Sequence, residues 1–277
     1  MAFLTAEQII DPAVSEAIGS TSSLLTALQD TQLIERVEAL NSEFIRSAHT
    51  RHPKGGWSWM RKASVFQTVA STTLNGDISA GDLTFILTSG TNWASSGRSV
   101  IEASSGSLDF VDHESKATHT LTVSTTTGDE TISIDHSDGE RVEKLYAVPS
   151  DYGKTIKLYV GTVEYFYERI DRYPPLGKFA LYGSYFFMPR GIGARDVTLH
   201  YEKVPATITL TTSETNIPVE YQRWAIEKLK AHIFTIRKKR ADIALALQLA
   251  EAELLAALDH DCQPVTSSES TVLLLPY

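Results

Sequence analysis

The residues best equipped for chemistry in this 277-residue chain are its histidines, its acids and two closely spaced tryptophans, and spacing decides what they could do together. His49 and His52 lie three apart, the interval that puts two imidazoles on one helical face, yet a zinc centre needs further ligands and none stands near them. Asp112, His113, Glu114 and His119 are ligand types as well, but they fall in a polar hairpin region where solvated surface is the expectation. Between Arg46 and Lys62 the bases Arg46, Arg51, Lys54, Arg61 and Lys62 occur with no acid, and Trp57 and Trp59 are interleaved with them. Aromatics among bases can stack nucleobases while the charges hold phosphates. The same residues suit a loop pinned to the core by two indoles, with its charges in water. Gly191-Ile192-Gly193 is too short and wrongly placed for a phosphate loop. No nucleophile elbow, CxxC or HExxH is present. The expectation is therefore no catalytic residue, no metal site, no cofactor and no enzymatic activity.

The totals narrow the classes further. A chain with 42% hydrophobic and 21% charged residues can bury a substantial core. Its formal charge of −9 argues against a dedicated nucleic-acid binder, although local basic patches remain. Cys262 is the single cysteine, which excludes an intramolecular disulfide and fits a reducing compartment. The start MAFLTAEQII lacks a basic region followed by an apolar stretch, so no signal peptide is expected, and no window reads as a membrane span.

Five segments emerge in chain order. Residues 1–64 read as N-terminal helices followed by the basic tryptophan loop, opening with a capping box from Thr5 to Gln8. Residues 65–142 are rich in Ser, Thr, Gly and Asp, with short alternating runs and turn signals, and read as an inserted acidic β-domain with eleven acids between Val65 and Glu140 against Arg98 and Lys116. Residues 143–206 read as aromatic-rich antiparallel strands, the sheet that helices would cover. Residues 207–261 read as one long C-terminal helix over 218–258, with Pro218 as its first residue and Ile226, Leu229, Ile233, Ile236, Ile243, Leu247, Ala250, Leu254 and Ala257 along an apolar seam. Arg240 interrupts that seam, so either an acid faces it or the helix leaves the core there. The seam itself suits an internal helical hairpin or contact with another chain. Seven bases (Arg223, Lys228, Lys230, Arg237, Lys238, Lys239, Arg240) stand against Glu227 in its first half, and five acids stand alone from Asp242 to Asp261. The N-terminal acids complement the basic half, and a bundle is the economical arrangement. Residues 262–277 form an extended tail ending Val272-Leu273-Leu274-Leu275-Pro276-Tyr277, an apolar hexapeptide behind a polar tether, suited to adding a strand to another chain or to folding back. The fold class expected is α+β: a helical bundle with one long C-terminal helix, an antiparallel β-sheet region and an inserted small β-domain.

Several stretches together resemble the head-to-tail adaptor (connector) proteins of tailed bacteriophages. These are Ala147-Val148-Pro149-Ser150-Asp151-Tyr152, then Phe186-Phe187-Met188-Pro189, then the strand Val197-Thr198-Leu199-His200-Tyr201 running to Pro205, and Ile217-Pro218-Val219-Glu220-Tyr221 opening a helix with Leu229-Lys230-Ala231. Residues 74–82 with Thr88-Ser89-Gly90-Thr91 are similar to small β-modules of phage structural proteins. The resemblance spans most of residues 20–260, and the inserted β-domain departs from the smaller, mostly helical adaptors. It implies a structural virion protein made in the host cytoplasm and placed in the neck between head and tail. There a homo-oligomeric, twelvefold ring would sit beneath the portal protein, extend the channel for double-stranded DNA without reading its sequence, and give the tail or nozzle protein a platform, with no membrane involved. It also implies roles for three groups: the tail from Val272 to Tyr277 at the portal, the seven bases of the helix at a subunit contact or the channel, and the loop carrying Arg51, Lys54, Trp57, Trp59, Arg61 and Lys62. Another neck or tail-completion protein is the nearest alternative, and a β-sandwich carbohydrate-binding module a more distant one.

Overall fold

The computed structural model describes residues 2–18, 27–51, 56–91, 93–169 and 173–262. Its elements in chain order are β1 (Phe3–Thr5), α1 (Ala6–Ile18), α2 (Ala27–Arg51), β2 (Arg61–Gln67), β3 (Thr72–Thr73), β4 (Thr84–Ile86), β5 (Gly97–Glu102), β6 (Leu108–Ala117), β7 (Thr120–Val123), β8 (Arg141–Lys144), β9 (Tyr146–Ala147), β10 (Tyr152–Val160), β11 (Val163–Tyr167), β12 (Lys178–Tyr182), β13 (Tyr185–Phe187), β14 (Asp196–Lys203), β15 (Glu214–Pro218), α3 (Gln222–Ile236) and α4 (Arg240–Cys262). The chain divides into two compact units, one of Met1–Met60 with Val204–Tyr277 and one of Arg61–Lys203.

The first unit is helical. Its opening follows the local sequence: the Thr5 amide donates to Gln8 Oε1 at 2.9 Å and the Gln8 amide to Thr5 Oγ1 at 3.4 Å, the reciprocal cap of α1, while Leu4 and Ile9 are buried beside it. β1 pairs with β15, so Pro218 ends a strand instead of opening a helix. A 3-10 turn (Val219–Tyr221) then leads into α3. Between α2 and β15 sits a buried polar clamp. Asn41 Oδ1 accepts the Asn216 amide at 2.7 Å, Asn41 Nδ2 donates to the Ala206 carbonyl at 3.2 Å, and Asn216 Oδ1 accepts the Ala206 amide. Backbone groups that a two-stranded sheet leaves open are thus satisfied away from water.

The expected single long helix is two. α3 stops at Ile236, Lys238 takes a left-handed conformation with φ of 58°, and α4 starts at Arg240. The Lys238 amide donates to the Thr235 carbonyl and the Lys239 amide to the Phe234 carbonyl, which is the 6→1, 5→2 closure of a Schellman motif. That position usually holds glycine; lysine there gives no sequence warning of the break. α4 returns along α3 as a helical hairpin. Arg240, which interrupts the apolar seam in the sequence, is the first residue after the reversal.

The second unit is all strand. One sheet of seven runs in the order β2-β14-β10-β11-β12-β13-β9, and one of six in the order β3-β8-β5-β6-β7-β4. All pairs are antiparallel except β11 with β12. The molecule is thus mostly β, with three sheets and four α-helices among the described residues, and not a helical bundle with a small inserted β-domain. The Ser/Thr-rich run forms the six-stranded sheet, and the aromatic-rich run, joined by β2, forms the seven-stranded one. The seven-stranded sheet packs on its own side chains, with Tyr146, Leu158, Phe179, Phe186, Leu199 and Tyr201 in one cluster that holds no helical residue. The six-stranded sheet has a core of its own around Phe85, Trp93, Ile101, Val111, Leu121 and Val142.

A β-carbon in the left-handed region costs roughly 1 kcal/mol that glycine does not incur. Lys238→Gly is expected to raise the unfolding free energy by up to about 1 kcal/mol, read by chemical denaturation of the full chain.

Candidate interaction surface

The hairpin gathers most of the bases singled out in the sequence and sorts them into two groups. The first group, on α3, is tied to acids of its own unit. Arg223 donates to Glu16 at 3.0 Å and pairs with Glu227, Lys230 reaches Glu16 at 2.9 Å and Glu227 at 3.1 Å, and Lys228 reaches Glu43 at 2.6 Å. The hydrogen bond from Lys230, with the positive charge of Arg223, holds the Glu16 carboxyl below its ordinary range. The acidic N-terminal helices therefore neutralise α3, as charge complementarity suggests. The second group is the turn: Arg237, Lys238, Lys239 and Arg240 are exposed, with Asp242 4.0 Å from Lys239.

The tryptophan loop is a core element. Trp57 is 1% exposed, donates Nε1 to the Phe44 carbonyl at 2.9 Å, and stacks between Phe44 and Trp59 at 4.7 Å on each side. Trp59 is half-buried, stacks on Tyr221 and donates to the Asn216 carbonyl. These faces are covered and present no stacking platform. Arg51 at the end of α2 pairs with Glu251 of α4. Arg61 and Lys62 belong to β2, where Lys62 donates to Asp151 at 2.6 Å. His52, Lys54 and the tail Val272, Leu273, Leu274, Leu275, Pro276 and Tyr277 lie outside the described residues.

What the sequence reading missed is the outer side of α4. Ala246, Ala250, Leu254, Ala257 and Leu258 are buried against the rest of the unit. On the other side Leu245 is 57%, Leu249 42% and Leu255 54% exposed, with Ala241, Ala252 and Ala256 exposed between them. After Arg240 the helix has no Lys or Arg, so no long basic stem covers these leucines. A helix apolar on both sides is built to be covered on both sides. The signal is legible in hindsight: at 100° per residue Leu245, Leu249, Ala252 and Ala256 form a second stripe opposite the first.

Two further sites lie within the β unit. His136, fully buried, donates from or accepts at both ring nitrogens, with Asp109 Oδ2 3.1 Å from Nε2 and Glu140 Oε2 2.7 Å from Nδ1. Burial works against the imidazolium, but the two carboxylates outweigh it and raise the His136 pKa. Asp112 and His113 are also buried, contrary to the solvated surface expected of them, whereas Glu114 is exposed. The physical reason is that both lie on β6, a central strand, where Asp112 is held by Arg98 at 2.7 and 2.5 Å and by the Glu130 amide at 2.9 Å.

The chain matches no family model and no curated protein sequence.

Glu143 on β8 gives the β unit a measurable pH dependence. It is buried, its Oε1 has no partner among the described residues, and burial pushes its carboxyl up to about 7 despite the nearby Arg141 charge and Ser71 hydroxyl. The folded chain therefore keeps a proton that the unfolded chain has released, so stability falls as pH rises from the ordinary glutamate value of 4.5 through about 7. Glu143→Gln should remove that fall and leave the protein about 3 kcal/mol more stable than the parent above the window, with no advantage below it. Thermal or urea melts at pH 5 and pH 8 read the difference.

Proposed function

We propose that this chain is a structural virion protein of a tailed bacteriophage: a head-to-tail adaptor that assembles with its own copies into a ring beneath the portal, extends the DNA channel and carries the tail or nozzle protein. The observation that carries the reading is the outer face of α4, joined to the adaptor-like stretches of the sequence. Leu245, Leu249 and Leu255, with Ala241, Ala252 and Ala256, are exposed on the outer side of a helix whose other side is packed, Leu247 is exposed at its margin, and the described residues leave this apolar face uncovered. A second copy supplies apolar surface to cover them, and its exposed turn of Arg237, Lys238 and Arg240 supplies bases to answer acids such as Asp242 at that end of α4. Burying each leucine contributes about 2 kcal/mol, so three per contact, repeated around a ring, hold copies together without covalent links. The same exposed bases suit the phosphates of passing double-stranded DNA, a contact that reads no sequence. Nothing in the reading calls for bond-making chemistry.

A multi-angle light-scattering measurement on the full chain checks the assembly. The parent should show a mass of many chains, and Leu249→Glu should return it to one chain with its circular dichroism unchanged; a monomeric parent at high concentration defeats the reading. The partner contact is checked separately. Deleting residues 272–277 should weaken capture by portal protein at least tenfold in a pull-down while the ring mass stays the same.

A further inference from the structure

A cleft of about 830 Å³ in the β unit takes no part in the proposed ring contact. Its inner wall comes from three adjacent strands of the six-stranded sheet. Gly97 on β5 stands opposite His113 on β6, and Ser99 on β5 stands opposite Lys144 on β8, so these four positions share one face. Further in on that face lie Ile101, Val111 and Val142 of the apolar core. The polar residues therefore occupy one end of the sheet's inner side, a common place for a ligand to enter a curved sheet. Gly97 leaves the approach open: a β-carbon built there would sit 3.6 Å from the His113 ring.

His113 is 3% exposed. Its Nδ1 lies 3.4 Å from Ser99 Oγ, and its buried Nε2 has no side-chain partner among the described residues; a backbone hydrogen bond with Ala94 favours the protonated ring. Lys144 is half-buried over the Tyr146 ring at 5.6 Å, and no carboxylate pairs with it among the described residues. A buried imidazole without a charged partner beside a desolvated ammonium without a carboxylate is costly to keep unless an anion answers them.

The other charged groups around the cleft are already committed or lie outward. Lys116 donates to the Gly90 and Trp93 carbonyls at 2.5 and 2.8 Å. Arg98 and Asp112 hold each other, and Asp129 accepts from Ser124 at 2.6 Å. Glu114 is exposed on the rim. Burial, together with the positive charges of Lys144 and Lys116, lowers the His113 pKa, and burial with Lys116 lowers that of Lys144. Each cationic group is thus disfavoured by its neighbours, the setting in which one added negative charge relieves several strains at once.

We propose that this cleft is a binding site for a small oxyanion, the carboxylate or phosphate head of an organic ligand, received by Lys144 Nζ and His113 Nε2. The aromatic rings of Phe66, Tyr146 and Tyr185 line the remainder of the cleft and give the body of such a ligand an apolar wall. Binding draws a proton onto the His113 ring, because the anion favours the imidazolium that Lys144 and Lys116 oppose. The site is independent of ring assembly and stands or falls separately from it.

Isothermal titration calorimetry of the full chain with inorganic phosphate, acetate and glucuronate, near pH 7 in two buffers of different ionisation enthalpy, tests this. The expected result is saturable binding of at least one probe, one per chain, with proton uptake. Lys144→Gln should weaken it at least tenfold, as loss of a charge-assisted hydrogen bond does. Lys144→Arg should retain it, and His113→Gln should abolish the proton uptake. Melting curves confirm that each variant is folded. Phosphate and acetate compared give the preferred head, and glucuronate binding tighter than acetate assigns the aromatic wall to a ligand body. Absence of saturable binding by all three probes, or affinity unchanged in a folded Lys144→Gln, overturns the proposal.

Discussion

The left-handed turn at Lys238 is the constraint on which the helical unit depends. Without it residues 222–262 would continue as one rod, and α4 would have no α3 to lie against. With it, Ala246, Ala250, Leu254 and Leu258 close the same core that α1, α2 and Trp57 build from the other side. The reversal also decides the electrostatics. The basic half of the former rod lies among the acids of the N-terminal helices through Glu16 and Glu43, and of its seven bases those of the turn keep their charges for other business. The second stripe on α4 follows from the same geometry, since a helix packed along one side must show the other.

The β unit depends less on any single turn and more on how its buried polar groups are answered. Asp109 and Glu140 grip both nitrogens of His136, and Arg98 grips Asp112 between the rings of Tyr182 and Tyr185. Satisfied networks of this kind fix a strand register as well as support it. Beside them stand Glu143, with an unpartnered oxygen, and Tyr173, whose hydroxyl also lacks a partner among the described residues and whose pKa burial and Glu143 together raise. The unit therefore combines polar pairs that anchor it with a carboxyl that works against it above neutrality.

Local chemistry was legible wherever it used its ordinary residues. Thr5 and Gln8 announce the start of α1, and the aromatic runs announce strands. What was illegible used a substitute. Lysine in the place of glycine at the turn hid the break between α3 and α4, and Pro218, well suited to open a helix, closes a strand because β1 is there to pair with β15. Asp112 and His113 looked like surface because partners far away in sequence, Arg98 and the Glu130 amide among them, are what make their burial tolerable. The outer leucines of α4 were hidden differently: a helix rich in Ala and Leu carries two apolar stripes, and one of them alone already satisfies a heptad-like pattern. Fold class failed for the same non-local reason. Nothing within residues 61–67 says that their partner strand begins more than a hundred residues later.

That last pairing has a consequence for how the chain is put together. β2 and β14 run side by side along their whole length, Arg61 against Glu202 and Gln67 against Asp196, so the point where the chain enters the β unit and the point where it leaves are neighbours. Seen from the helical unit, everything from Arg61 to Lys203 is a single insertion closed at its base like a zip. Because the two ends of an antiparallel pair stand only about 5 Å apart, a short linker spans them. A short linker from residue 60 to residue 204 would therefore close the helical part of the chain without the insertion.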